Sequence, residues 1–231
     1  MHMLRKQVGL ALVMAAGLLA SGVASAAVVM TFDQQNGNGE FVDNFYNGGC
    51  GGSYGGGSVT CGGPNYGVVW NGALEGYAPN GLWNNTSNSS SPPGVMGFLD
   101  SNNAFMNVAA GFDTGFSFYY AAANVGGTIE VWSGVNGTGT MLASLVLPVT
   151  GSDCDGVTGF SCWDPIGVTF AGTAMSVNFA GTANQIVFDN VTIGSGTPIN
   201  GVPEPAALGI FGLGALLVGL FAGLRRRRFQ S

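Results

Sequence analysis

Between Gln7 and Leu224 the sequence contains no lysine, arginine or histidine. The basic residues stand only at the two ends, Arg5 and Lys6 at one and Arg225, Arg226, Arg227 and Arg228 at the other, and the single histidine is His2. That absence excludes whole classes of chemistry for the segment between them. Histidine-based triads, lysine Schiff bases and arginine-assisted phosphoryl transfer all need groups it does not have. Histidine-ligated zinc goes with them. Nucleic-acid binding depends on basic side chains displacing counterions from phosphates, so no nucleic-acid partner is expected. The interior is purely acidic, carrying Asp33, Glu40, Asp43, Glu75, Asp100, Asp113, Glu130, Asp153, Asp155, Asp164 and Asp189. It also has no stretch with capped helical periodicity.

The basic residues flank apolar runs. Arg5 and Lys6 precede the run from Val8 to Val23, and Ala24-Ser25-Ala26 then supplies small residues of the A-x-A kind, so residues 1–26 read as a secretory signal peptide cut after Ala26 or Ala27. At the other end, the stretch from Ala206 to Leu224 has no charged side chain. A helix of that length is close to the roughly 30 Å of a bilayer's hydrocarbon core. Arg225 to Arg228 follow at once and act as a cytoplasmic stop, since guanidinium groups cross lipid at high cost. Residues 27–201 are thus expected outside, as one exported domain large enough to bury a core.

Immediately before the apolar stretch stands Val202-Pro203-Glu204-Pro205. The prolines hold the chain extended, and Glu204 sets a negative charge where a helix dipole favours one. Pro203, Glu204 and Pro205, then an apolar helix, then Arg225 to Arg228, in a chain with a signal peptide, resemble the sorting signal of the PEP-CTERM family of exported bacterial proteins. The resemblance covers residues 202–231 and the signal peptide. It implies that an exosortase in the inner membrane is a partner that recognises the tail and removes it. It further implies a membrane-anchored precursor, a mature form at the cell surface or outside the cell, and a setting of exopolysaccharide and biofilm matrix.

All four cysteines lie in the exported part as two local pairs, Cys50 with Cys61 and Cys154 with Cys162. An oxidising compartment favours disulfides, and local pairing is the choice among three connectivities. The periodicity is that of strands. Residues 115–120, 127–132, 166–170 and 176–179 alternate at period two, and further strands are expected at 28–32, 68–70, 95–99, 104–108, 142–147 and 185–193. Asn136-Gly137 suits a tight hairpin turn joining two antiparallel strands. In the last strand Ile186 and Phe188 share one parity and Val191 and Ile193 the other, so a bulge near Asp189 or Asn190 is needed to turn both sets inward. The fold expected is all-β, an antiparallel β-sandwich of jelly-roll type with long glycine-rich loops, plus the two terminal helices.

From Gly37 to Gly94 glycine clusters and a polar tract at 84–93 predict long surface loops. Trp70, Tyr77 and Trp83 lie among them, either as faces for sugar rings or as anchors tucked over the sandwich. The chemistry left is that of carboxylates. Two of them suffice for glycoside hydrolysis, with Glu40, Glu75 and Glu130 as candidates. Glu130 lies opposite Ile129 and Val131 on its strand and points to solvent, and no spacing pairs it with a second acid. No catalytic residue and no cofactor is therefore assigned. A structural calcium ion would need an oxygen cage, for which Asp33 and Asp189 with Glu40 or Asp43, or Asp153 and Asp155, are the available residues; backbone N–H groups are their competing partners. The reading is a non-enzymatic surface or matrix protein associated with glycan, exopolysaccharide being the second partner. The alternative is a secreted carbohydrate-active enzyme using two carboxylates.

Overall fold

A computed structural model describes residues 27–35, 38–78, 81–83, 92–151 and 162–200. The signal segment, the sorting segment, Asp153, Cys154, Asp155 and most of the polar tract lie outside the described residues. Among the described residues no helix is long and apolar enough to cross a membrane. The strands are β1 (Val28–Met30), β2 (Glu40–Phe41), β3 (Gly52–Ser53), β4 (Val68–Asn71), β5 (Leu74–Tyr77), β6 (Gly94–Gly97) and β7 (Asn103–Phe112). They continue with β8 (Gly115–Ala122), β9 (Gly127–Trp132), β10 (Met141–Leu147), β11 (Asp164–Thr169), β12 (Ala174–Ala180) and β13 (Ile186–Ile193).

Two antiparallel sheets enclose the core, as the period-two patterns predict. One runs β11-β8-β13-β6-β5-β2-β3, with β1 also on β13; the other runs β10-β9-β12-β7-β4. Side chains alternate across each strand, so Ile129 and Val131, Val177 and Phe179, and Met106 and Val108 turn inward from the five-stranded sheet. Phe179 meets Trp70, Phe116, Phe118 and Phe188 at ring-centroid distances of 5.4, 5.8, 6.0 and 5.0 Å. Strand β13 is buried along its whole length. Its register on β8 shifts between Asp189 and Thr192, and Asn190 takes a left-handed φ of 50°. This is the expected bulge, and Ile186, Phe188, Val191 and Ile193 all reach the core because of it. The expected hairpin also forms: β9 pairs β10, and Asn136 and Gly137 both have positive φ, 54° and 69°. Cys50 and Cys61 are joined, and Cys162 is disulfide-bonded too.

Between Gly37 and Gly94 the expected glycine-rich loop is present at 54–67, exposed for much of its length and without a strand, but the region is not all loop. That region supplies β2, β3, β4 and β5, and Trp70 and Trp83 are 1% and 2% exposed. Glycine there serves close packing. Gly76 and Gly97 lie on the face of β5 and β6 that points away from the sandwich core, and a Cβ at Gly97 would fall 2.6 Å from Trp83 Cζ2. Trp83 therefore seats directly on bare backbone, with Ala78, Val95, Ala121, Ala123 and Val187 in a second apolar cluster. Burying about 200 Å² of indole is worth roughly 5 kcal/mol as an upper figure, far more than a surface stacking ring would forgo.

On the other face of β5, Glu75 stands directly opposite Glu40 of β2, and both are fully buried. Strand parity points them inward, on the side of Met96 and Phe188. Thr60 donates to Glu40 through its backbone N–H and through its hydroxyl, the latter at 2.8 Å. Glu75 has no hydrogen-bond donor on either oxygen. Burial first, then the charges of Glu40 and Asp33, pushes its carboxyl up to about 9. The neighbouring Tyr46 phenol accepts from Phe32 N–H at 2.8 Å and is itself pushed well up by burial.

Two outcomes are expected. Gly97→Ala drives a methyl into Trp83 and should cost about 1–3 kcal/mol, read from the urea midpoint followed by tryptophan fluorescence; an unchanged midpoint would show that Trp83 is not seated there. The second concerns pH. The unfolded chain releases the Glu75 proton near 4.5 and the folded chain holds it to about 9. Stability from the neutral acid is therefore complete below about pH 4.5 and drains as pH rises towards about 9. With divalent ions chelated, the wild-type urea midpoint should fall across that window more steeply than that of Glu75→Gln, which keeps the shape without titrating. Parallel falls would mean that Glu75 is not held neutral.

Candidate functional site

The outward face of the five-stranded sheet carries an ordered polar and aromatic array. Ser144, Glu130, Asn178, Phe105 and Asn71 stand directly opposite one another across its strands, from β10 to β4. Beside them runs a second row of Met141, Trp132, Ser176, Asn107 and Val69. Side-chain alternation produces both rows, since the inward positions of the same strands fill the core.

The turn Val135–Gly137 folds back over the second row. Asn136 N–H donates to Asn107 Oδ1 at 2.7 Å, and Asn107 Nδ2 donates to Asn136 Oδ1 at 2.9 Å. Gly137 N–H donates to Ser176 Oγ at 3.0 Å, and the Ser176 hydroxyl donates to Gly134 O. Gly137 is required twice over, by its positive φ and because a Cβ would lie 2.9 Å from the Phe105 ring. The turn fixes one margin of the array and leaves Phe105, Trp132, Glu130 and Asn178 half-buried.

Glu130 Oε2 accepts from Trp132 Nε1 at 3.3 Å and from Asn178 Nδ2 at 3.2 Å. A carboxylate thus orients an indole and an amide with no basic residue involved. Its remaining lone pairs and two half-exposed rings offer part of what a pyranose needs: acceptors for hydroxyls, and apolar planes for C–H faces. The first row ends at Asn71, which also lines a cavity of about 390 Å³ with Phe41, Asp43, Gly72, Leu74, Leu99, Asp100 and Ser101. Burial raises the Asp43 carboxyl above the ordinary range.

The structure separates the residues that the sequence singles out. Of the two readings for these aromatics, Trp70 and Trp83 follow the anchoring one: both are core residues and offer no face to sugar, and Tyr77 alone of the three keeps exposed surface. The aromatic surfaces that sequence reasoning missed are Trp132 and Phe105. Their outward parity, shared with Glu130 and Asn178, is the signal that could have found them. Glu130 faces an indole and an amide, and Glu40 with Glu75 faces the core, so none of the three candidate acids pairs across an open cleft.

The calcium cage drawn from Asp33, Asp189 and Glu40 or Asp43 does not assemble. Asp33 Oδ1 accepts from Gly94 N–H at 2.8 Å, Asp189 Oδ1 accepts from Asn190 N–H at 2.7 Å, and Asp43 lines the separate cavity. Asn190 N–H is the neighbour next in sequence to Asp189, whereas the Gly94 N–H is brought to Asp33 from 61 residues away, and gathering three like charges would cost repulsion. Among the described residues no three acid, cysteine or histidine side chains gather closely enough to hold a metal ion.

No protein-family model matches the chain, and no curated protein matches it. Among solved structures it is similar to the K2 cleaved adhesin domain of Lys-gingipain, at 14% identity over 73% of this chain and 99% of that one, with a TM-score of 0.44. It is similar to a carbohydrate-binding module of Cellvibrio mixtus lichenase 5A, solved with cellotriose, at 16% identity over 54% of this chain and 87% of that one, TM-score 0.36. A family 43 arabinoxylan arabinofuranohydrolase from Bacillus subtilis overlaps at 22% identity over 46% of this chain, TM-score 0.33, and the chain spans only 23% of that enzyme's length. These overlaps are too loose to transfer a site or an activity.

Proposed function

We propose that this chain is an exported surface or matrix protein, without enzymatic activity, that holds neutral glycan on the outward face of its five-stranded sheet. One observation carries the reading: Phe105 and Trp132 stand half-exposed beside Glu130 and Asn178, in two adjacent rows on the face that the core does not use. Neutral glycans are favoured because the interior has no base to meet a uronate or a sulfate. The Cys50–Cys61 disulfide supports an oxidising compartment. Delivery is proposed to run through an exosortase, on the strength of Pro203, Glu204 and Pro205 followed by the apolar stretch and Arg225 to Arg228.

A second reading, hydrolysis by two carboxylates, draws on Asp43 and Asp100 lining one cavity. It requires new reducing ends from a glycan incubated with the protein, and their loss in Asp43→Asn. Their absence in the wild type leaves binding alone.

For binding, Trp132→Ala should weaken retention at least about fivefold in affinity electrophoresis through the producing cells' exopolysaccharide, taking the loss of a stacked ring as about 1 kcal/mol or more by analogy with base stacking on aromatic side chains. Its urea midpoint should change little, because the ring is outside the core. Retention equal to wild type would remove the sheet face as the site. For sorting, Glu204→Gln, or deletion of Arg225 to Arg228, should leave the precursor in the inner membrane; the same mature mass at the cell surface after either change would sink the exosortase reading.

A further inference from the structure

The inward pair of acids on β2 and β5 belongs to no part of the glycan-facing surface. We propose that the gap between Gln35, Glu40 and Glu75 is a divalent-cation site of the all-oxygen kind that calcium takes. Three buried acceptor atoms on these residues have no hydrogen-bond partner: Gln35 Oε1, Glu75 Oε1 and Glu75 Oε2. Gln35, Glu40 and Glu75 are each 0% exposed. Buried acceptors without donors lose their hydration for nothing unless water, a proton or a cation replaces it. No basic side chain exists anywhere between Gln7 and Leu224 to do so.

Gly51 lets the Glu40 carboxylate and the Gln35 amide head crowd together: a Cβ there would lie 2.3 Å from Glu40 Oε1, 2.6 Å from the Phe41 carbonyl oxygen and 2.7 Å from Gln35 Nε2, which donates to that carbonyl at 3.4 Å. Thr60 occupies one lone pair on each Glu40 oxygen and leaves the others for an ion. Glu75 faces Glu40 at the directly opposed position of the ladder, where Cβ atoms are about 4.5–5.5 Å apart. The donor set is two carboxylates and the Gln35 amide oxygen. It has no nitrogen or sulfur ligand and little rigidity, which favours calcium over zinc and over the stricter octahedron of magnesium. It differs from the cage drawn from sequence, because Asp33 and Asp189 are held by backbone N–H groups and Glu75 and Gln35 take their place.

The test uses the purified full chain stripped with EDTA and titrated with CaCl2 by calorimetry at neutral pH. One ion should bind, and the melting temperature should rise by several degrees as calcium is added. Glu75→Gln should lose both effects while remaining folded, since it is isosteric. Gly51→Ala keeps both carboxylates but pushes the Glu40 carboxylate and the Gln35 amide out of place, so it should lose the response as well. Asp113→Asn, on the exposed turn after β7, should respond as wild type does. No heat and no melting shift with calcium in the wild type would overturn the proposal and leave a proton as the sole neutralising partner. An undiminished response in Glu75→Gln would also overturn it by locating the ion elsewhere. Neither result bears on glycan retention, which the Trp132 experiment reads separately.

Discussion

Every carboxylate of the sandwich has to be stabilised without a cationic side chain, and the arrangement of polar groups follows from that. Asp33 takes the N–H of Gly94, Asp189 that of Asn190, Glu40 the backbone and hydroxyl of Thr60, and Glu130 an indole and an amide. Such dipoles are short-ranged and directional, so each acid is tied to a particular turn or strand position, where a lysine partner would have allowed several. Glu75 is the exception, buried opposite another acid with no donor at all. A lone charge in that position would be prohibitive, and its carboxyl is therefore held in the neutral form up to about 9.

Glycine does the complementary work on the apolar side. Gly76 and Gly97 make a floor for Trp83; Gly63, where a Cβ would fall 2.2 Å from Phe45 O, lets the chain cross a backbone carbonyl; Gly137 brings a turn onto the Phe105 ring. The glycine-rich composition thus marks close approach of backbone to side chain at these points. The aromatic core around Phe179 depends on the same economy, because β13 reaches it from both parities only through the left-handed residue Asn190.

Much of this was legible in the sequence, and the parts that were not share a cause. Period-two alternation located β7 to β13 to within a few residues, and the mixed parity of Ile186, Phe188, Val191 and Ile193 required the bulge that Asn190 supplies. Strands β2, β3 and β5 left no such trace. Two are only two residues long, and β5 carries a glycine and a buried acid where apolar residues would announce a strand. Trp70 and Trp83 looked like loop aromatics for the same reason: local composition is polar and glycine-rich, while their burial is decided by partners far along the chain. Glu130 read correctly as outward, but its alignment with Asn178 and Phe105 depends on register between strands that are distant in sequence.

The separation of the two faces of β9, β12 and β7 has a consequence for how such a chain can diversify. Positions 105, 130, 132 and 178 contribute little to the interior, whereas their immediate neighbours Ala104, Met106, Ile129, Val131, Val177 and Phe179 are fully enclosed. Substitution at the first set rewrites the chemistry displayed to the surroundings at small thermodynamic cost; substitution at the second threatens the whole molecule. With Asn136 and Gly137 holding the margin in place, related chains could trade one display for another residue by residue, on a framework that never has to be re-evolved.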